Sequence, residues 1–191
     1  MSAAPLLALD DLACLRGGRL LFEGLSLRLG PGGAAIVGGP NGSGKSSLLR
    51  IVAGLLRPAA GKVMRSGRPA LADEAAALDE RLTLGRALGF WARLDGVSAA
   101  PGIEAMGIAH LSQVPVRMLS AGQRKRAALA RVVASGALLW LLDEPANALD
   151  SEGQALLSAA MATQRARGGA VLAASHQPLG LDDAALVRLG G

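Results

Sequence analysis

Two alternating apolar runs open the chain, Leu6 to Leu15 and Leu20 to Leu29, parted by Arg16-Gly17-Gly18-Arg19. Alternation on either side of a Gly-Gly pair predicts two antiparallel strands joined by a tight turn. Pro31-Gly32-Gly33 predicts a second turn. Ala34-Ala35-Ile36-Val37 is short and apolar throughout, the pattern of a strand buried on both faces. After a glycine-rich loop the spacing predicts a helix from about Lys45 to Leu56, stopped by Pro58. Short strands are expected at Lys62 to Arg65 and Arg68 to Ala72, around Ser66-Gly67.

From about Asp73 to Met118 the period becomes helical, with interruptions at Gly96, Pro101 and Pro115. This stretch, residues 73–118, reads as a helical subdomain inserted between two parts of an α/β core, residues 1–72 and 119–191. The core resumes with a helix from about Ala121 to Ser135 and a buried strand at Leu138 to Leu142. Ser151-Glu152-Gly153-Gln154 reads as a capping box, and its helix carries Leu156, Leu157, Ala160, Met161 and Gln164 at helical spacing. Ala170 to Ala174 is the next buried strand, and Leu186 to Leu189 one more. Strand–helix alternation of this kind argues for an α/β fold with a mostly parallel core sheet covered by helices.

At 191 residues the chain fits one domain, long enough to bury roughly 70% of its unfolded surface. Tyr is absent and Phe and Trp number two each, so the core must be aliphatic. The net charge of +5 admits nucleic acid or acidic lipid headgroups as partners, or a merely scattered basic surface. No long basic run occurs, the tightest being Arg124-Lys125-Arg126, and no nucleic acid is expected. One cysteine, Cys14, excludes an internal disulfide and fits a reducing compartment. No secretory signal is evident, and no uncharged stretch reaches the roughly 18 apolar residues of a membrane-spanning helix.

The informative stretch is Gly39-Pro40-Asn41-Gly42-Ser43-Gly44-Lys45-Ser46, followed by Ser47. It fits G-x-x-x-x-G-K-[ST], with a strand before and a helix after. Glycines let backbone N–H groups face phosphate oxygens with no Cβ in the way. The helix start adds the positive end of its dipole. Lys45 is expected to reach the β and γ phosphates and Ser46 to ligate Mg²⁺. Two carboxylates, Asp143 and Glu144, end an apolar strand, where ligands of open α/β sheets bind. Asp143 is a candidate Mg²⁺ ligand and Glu144 a candidate base for water. The alternative is a strand cap before the helix-starting Pro145. Leu119-Ser120-Ala121-Gly122-Gln123 offers a hydroxyl and free N–H groups at a helix start, either an anion site or an ordinary N-cap.

The series GPNGSGKS, LSAGQ, LLDEP, Ala148-Leu149-Asp150 and His176, in that order, resembles the nucleotide-binding domain of ATP-binding cassette (ABC) ATPases. The resemblance spans nearly the whole chain. It implies a P-loop NTPase fold with an antiparallel N-terminal β part, and ATP and Mg²⁺ as cofactors. It implies a homodimer formed on ATP binding, in which Ser120, Gly122 and Gln123 of one copy complete the ATP site of the other. Asp150 matches the loop crossing between the sites, and His176 the histidine that contacts the γ-phosphate. Leu138-Leu-Trp-Leu-Leu-Asp-Glu-Pro145 followed by Asn147-Ala-Leu-Asp150, Arg167-Gly-Gly-Ala170 and Ser175-His-Gln-Pro-Leu179 resemble the ATP-binding subunits of cytochrome c maturation, the haem exporter ATPases. That implies a peripheral subunit on the cytoplasmic face of the inner membrane, docked on an integral membrane subunit and acting indirectly on haem or a haem chaperone. Cys14 and His110 read as core or surface residues, not haem ligands. A subunit of another ABC transporter and a soluble cassette ATPase are the rival readings.

Two departures stand out. Where the family carries a glutamine, Leu71-Ala72-Asp73-Glu74 puts Glu74, or else Asp73, with Glu74 a further candidate for Mg²⁺. An acid there brings negative charge towards the γ-phosphate. Where the family stacks adenine on an aromatic ring, this chain has Leu15 or Arg16, with Phe22 further on. A guanidinium can stack as well.

Overall fold

The computed structural model describes residues 4–73 and 78–190. In chain order its strands and α-helices are β1 (Leu7–Arg16), β2 (Arg19–Leu29), β3 (Ala34–Gly38), α1 (Lys45–Ala53), β4 (Ala60–Arg65), β5 (Ala70–Ala72), α2 (Leu84–Asp95), α3 (Ala100–Ala105), α4 (Ala121–Ala134), β6 (Leu139–Asp143), α5 (Ser151–Ala166), β7 (Ala170–Ala174) and β8 (Ala185–Arg188). Short 3₁₀ turns at Ala109–Leu111 and Val116–Met118 lead into α4.

The opening hairpin forms where it is expected, but β1 does not alternate strictly in burial, because its register shifts between Leu9 and Leu15. β1 and β2 pair antiparallel down to Arg16 opposite Arg19. Gly17 (φ 56°) and Gly18 (φ 77°) are both left-handed, the backbone that a two-residue hairpin turn needs. β4 joins the other edge of β1, giving an antiparallel sheet of order β2-β1-β4. The second sheet is parallel throughout, of order β5-β6-β7-β3-β8.

Every residue of β6 and β7 is buried, and alternate side chains feed two cores. Leu139, Leu141, Leu172 and Val37 pack with Leu48, Leu49 and Ile51 of α1 and with the inner face of the antiparallel sheet. Trp140, Leu142, Val171 and Ala173 pack with α4 and α5 through Leu129, Leu157 and Met161. An apolar run with helices on both sides is what a central parallel strand requires. α2 and α3 join the second core through Leu84, Leu88 and Ile103, and the Arg131 guanidinium of α4 lies 3.7 Å over the Trp91 ring of α2.

Several boundaries differ from the sequence expectation. α1 ends at Ala53, well before Pro58, because Gly54 adopts the left-handed cap (φ 83°) and donates to the Ile51 carbonyl at 3.0 Å. β5 omits Arg68 and Pro69, since proline has no N–H for the ladder. β8 begins at Ala185, and Leu189 follows it with its amide on the Gly38 carbonyl at 2.9 Å. The α5 cap is Asp150, not Ser151: the Asp150 carboxylate accepts the Gly153 amide at 2.9 Å, and Gln154 Nε2 turns to the Leu149 carbonyl. A carboxylate is the stronger acceptor for the exposed amides of a helix start, and it takes the position from its neighbour.

Gln164 lies in the apolar stripe of α5 and is 1% exposed. Its Nε2 donates to the Ala137 and Leu138 carbonyls, both at 2.9 Å, and its Oε1 accepts from Arg167 Nε at 2.7 Å. It pins α5 to the entry of β6. Gln164→Met is expected to cost about 0.5–1.5 kcal/mol, because it removes the amide that ties α5 to the Ala137 and Leu138 carbonyls. Urea unfolding of the variant beside the native chain measures this.

Candidate functional site

The phosphate loop leaves β3 at Gly38 and enters α1 at Lys45. Gly39 (φ 144°) has no room for a side chain, since a Cβ would lie 2.4 Å from the Leu189 carbonyl oxygen. Gly44 (φ 104°) caps α1, with Phe22 and Leu21 pressed against it. Pro40, Asn41 and Gly42 are exposed at the crest, and the buried Ser43 hydroxyl makes no hydrogen bond among the described residues. Lys45 is 8% exposed, and its ammonium donates to the Gly39 and Pro40 carbonyls at 2.9 and 3.2 Å. Among the described residues no carboxylate lies within ion-pair distance of it. A buried cation without a counter-charge, at the positive end of a helix, fits an anion of high charge density.

The parallel ladder brings the acids to the same level. Ala174 of β7 pairs with Asp143 of β6 on one side and Val37 of β3 on the other. Asp143 is 4% exposed, and its backbone carbonyl accepts Lys125 Nζ of α4 at 3.0 Å. Glu144 has a left-handed backbone (φ 44°), and its amide donates to the Ala174 carbonyl at 2.8 Å. His176 follows β7, with Nε2 3.4 Å from Glu144 Oε1 and its amide 3.4 Å from Glu144 Oε2. The Gln177 side chain reaches Asn147 at 3.3 Å, a second tie between the loops after β6 and β7.

Asn41, Gly42, Gly44, Lys45, Ser46, Ser47, Asp143 and Glu144 line one cleft of about 350 Å³, whose remaining wall is Arg16 and Leu21. Ser46 and Asp143 supply one hydroxyl and one carboxylate. That set fits Mg²⁺ that arrives with phosphate oxygens and keeps its waters. Among the described residues no group of three or more His, Cys, Asp and Glu forms a cage. Glu74 lies outside the described residues. Asp73, its alternative, pairs with Arg50 at 3.4 Å.

The LSAGQ segment is elsewhere. Ser120 caps α4 in a full capping box: its Oγ accepts the Gln123 amide at 3.2 Å, and Gln123 Oε1 accepts the Ser120 amide at 2.9 Å. Gly122 has a packing role that its pattern did not reveal, because a Cβ there would lie 2.7 Å from the Ala148 carbonyl oxygen. Arg126, one turn on, donates to Asp150 Oδ1 at 2.6 Å and Glu152 Oε2 at 3.0 Å. The Gly153 amide, and then Arg126, hold the Asp150 carboxyl below the usual range. Ser120, Gly122, Gln123 and Asp150 line a second cleft of about 390 Å³, together with the exposed His110. This cleft shares no residue with the first. Cys14 is buried in the core beside α1.

The sequence reading missed Lys125, Arg126, Asn147 and Gln177 as site-building residues. Their signals were the Arg124-Lys125-Arg126 cluster on the helix after LSAGQ, and the place of Asn147 and Gln177 in the stretches that carry the family resemblance.

Gly122→Ala is expected to destabilise the chain by about 1–3 kcal/mol, as the added methyl forces the 144–150 loop away. Its urea midpoint against that of the native chain checks this. Asp150 supplies a pH signature. Its folded pKa is depressed, so its stabilisation is fully present above the ordinary carboxyl value and is lost as pH falls through the lowered one. The stability gap between native chain and Asp150→Asn should therefore be constant from pH 7 to about pH 5 and shrink below about pH 4. Urea titrations at stepped pH read this gap.

The family model described as ABC transporter matches residues 22–147. A protein of Sphingopyxis alaskensis named Cytochrome c biogenesis ATP-binding export protein CcmA is 61% identical over 181 residues, covering 93% of each chain. A protein of the same name from Novosphingobium aromaticivorans is 56% identical over 176 residues, covering 92% of this chain and 91% of its own. A solved structure of an ATP binding subunit of an ABC transporter superposes with a TM-score of 0.86 at 23% identity, over 96% of this chain and 85% of that one, and speaks for the fold. With the phosphate loop, the acid pair and LSAGQ set on such a frame, the chain belongs to the ABC transporter family, among its cytochrome c biogenesis ATP-binding export proteins.

Proposed function

We propose that this chain is the ATP-binding and ATP-hydrolysing subunit of an ABC transporter complex. Its hydrolysis is coupled to haem export or haem-chaperone release in c-type cytochrome biogenesis. The observation that carries the reading is the pair of separate clefts: one has the phosphate loop and the acids, with His176 3.4 Å from Glu144, and the other has residues of LSAGQ and Asp150.

In this reading Lys45 and the amides of the loop from Gly39 to Ser47 hold the phosphate oxygens and stabilise charge on the transferring group. Ser46 and Asp143 hold Mg²⁺, which neutralises phosphate charge when bound. Glu144 accepts the proton of the attacking water, and His176 orients Glu144 and contacts the terminal phosphate. The 3.4 Å approach of His176 Nε2 to Glu144 supports that pairing. Ser120, Gly122, Gln123 and Asp150 serve the nucleotide of a second copy, which makes the active unit a homodimer with two ATPs at its interface. Glu74, at the sequence position where the family resemblance implies a glutamine, slows hydrolysis or alters its coupling to the membrane subunit in this reading.

Residues 73–118 form the helical subdomain in this reading. The membrane subunit docks beside it. A cavity of about 610 Å³ lies between the end of α1, the β4–β5 connection and the C-terminal ends of α2 and α4. Leu55 and Leu94, 71% and 59% exposed, line it together with Arg65, Arg68 and Asp95, which suits a partner segment that is part apolar and part charged. The reading makes the chain a peripheral subunit at the cytoplasmic face of the inner membrane. Among the described residues no helix is long and apolar enough to cross a membrane.

Glu144→Gln is expected to bind Mg-ATP as the native chain does, lose turnover by about 100-fold or more, and accumulate as an ATP-bound dimer. Single-turnover hydrolysis and size-exclusion light scattering measure both effects. Unimpaired turnover in the variant would overturn the role given to Glu144. Capture of the tagged chain from native membranes, with mass identification of its companions, tests the transporter assignment, and recovery of nucleic acid or ribosomes alone would replace it.

A further inference from the structure

We propose that the cavity between α3, α4 and α5 binds a medium-chain aliphatic monocarboxylate, held at its acid end by Arg167 and Trp140. The cavity has a volume of about 320 Å³. It shares no residue with the phosphate cleft, the LSAGQ cleft or the cavity beside α1, so the proposal stands apart from the ATP-binding reading.

Its walls are helix faces. α3 is pressed onto α4 at Gly102, where a Cβ would lie 1.9 Å from the Ala130 carbonyl oxygen. Ala105 of α3 and Ala159 and Ala160 of α5 are too short to fill the space beside that contact. Val133 of α4 and Leu156 of α5 complete an apolar lining, with Trp140 of β6. Such a lining draws an aliphatic chain out of water. The volume is near the lower end for small-molecule pockets and suits a chain of about ten carbons.

The polar groups on this lining define the other end of the ligand. Trp140 is 2% exposed, and its indole N–H has no acceptor among the described residues. A buried indole N–H normally finds a partner, and leaving it without one is costly. Two neighbours are already engaged. Thr163 Oγ1 donates to the Ala159 carbonyl at 2.9 Å, and both ends of the Gln164 amide are bonded. Arg167 is different. Its Nε is on Gln164 Oε1, and its guanidinium carbon lies 5.9 Å over the Trp140 ring. Among the described residues no carboxylate lies within ion-pair distance of it. The cavity thus carries an unanswered N–H and an unanswered cation side by side.

Both groups are donors only, so the ligand must bring the acceptor. A carboxylate has two oxygens and pairs well with a guanidinium fork, leaving lone pairs for an indole N–H. Arg167 is exposed and covers the ring, and its movement onto the acid opens the indole to the same group. Glu104 of α3 lines the cavity too, exposed and with no cation within ion-pair distance among the described residues. It repels a second anionic group, which restricts the ligand to one negative charge. An aliphatic ammonium would suit Glu104 but leave both donors unanswered.

The chain has two tryptophans and no tyrosine, so Trp91→Phe leaves Trp140 as the sole indole to observe. The test is titration of that full-length variant with ω-bromodecanoate, whose bromine quenches an indole it touches. Quenching should saturate, and plain decanoate should reverse it. Arg167→Ala should weaken binding by about tenfold, the loss of one charged hydrogen bond. Glu104→Gln removes the like charge, leaves the Arg167–Gln164 contact alone, and should tighten binding by about two- to fivefold. Ala159→Leu, at an exposed position of α5, fills the cavity and should abolish binding. Circular dichroism confirms that each variant is folded. Absence of saturable quenching below the concentration at which decanoate forms micelles would overturn the proposal. So would quenching undiminished by Ala159→Leu or by Arg167→Ala, or decylamine competing as well as decanoate.

Discussion

The parallel pairing of β6, β7 and β3 is the constraint on which the rest depends. Its register sets Asp143, Ala174 and Val37 side by side. The ladder continues past the strands, through the Glu144 amide on the Ala174 carbonyl and the Ser175 amide on the Val37 carbonyl. The three loops that follow therefore leave the sheet at one height. Because both sheet faces are apolar and covered, water cannot compete for these bonds along the strands. A slip of one residue in any pairing would exchange the two cores and turn Asp143 away from Lys45.

That edge keeps its opposite charges apart. Lys45 is buried on the Gly39 and Pro40 carbonyls, while of the two acids that line the same cleft Asp143 stands at a strand end whose backbone carbonyl takes Lys125, and Glu144 lies beside His176. The second cleft is balanced differently. There the Arg126 guanidinium is shared between Asp150 and Glu152, and Gly122 lets the Ala148 carbonyl come close. In the first cleft Lys45 stays outside ion-pair distance of the described acids, and the second is locked by its own ion pairs. Lys125 and Arg126 are neighbours on α4 and reach the two clefts separately, so this helix joins them mechanically.

Much of this was legible in the chain itself, for reasons that differ by element. The hairpin was readable because two consecutive glycines between alternating runs admit few other structures. The phosphate loop and the acid pair were readable because strand, turn and helix signals agree around each. α1 was read too long because Gly54 and Pro58 both end helices, and the nearer one acts first. The α5 cap was displaced because Asp150 and Ser151 are both capping residues, and only the contacts of the folded chain choose between them. The distance between LSAGQ and the phosphate loop is not written in sequence order at all. Nor is the role of Gly122, since a glycine that exposes its amide and one that admits a neighbouring carbonyl look alike as letters.

Glu144 carries its carboxylate on a left-handed backbone, a conformation that side-chain-bearing residues adopt at a cost of about 1 kcal/mol. A glycine would sit there more comfortably, yet it would bring no oxygen to the neighbouring imidazole. Random drift at this codon is thus pulled towards a better-folded and chemically silent chain. Persistence of the acid would record selection acting on the reaction against the preference of the fold.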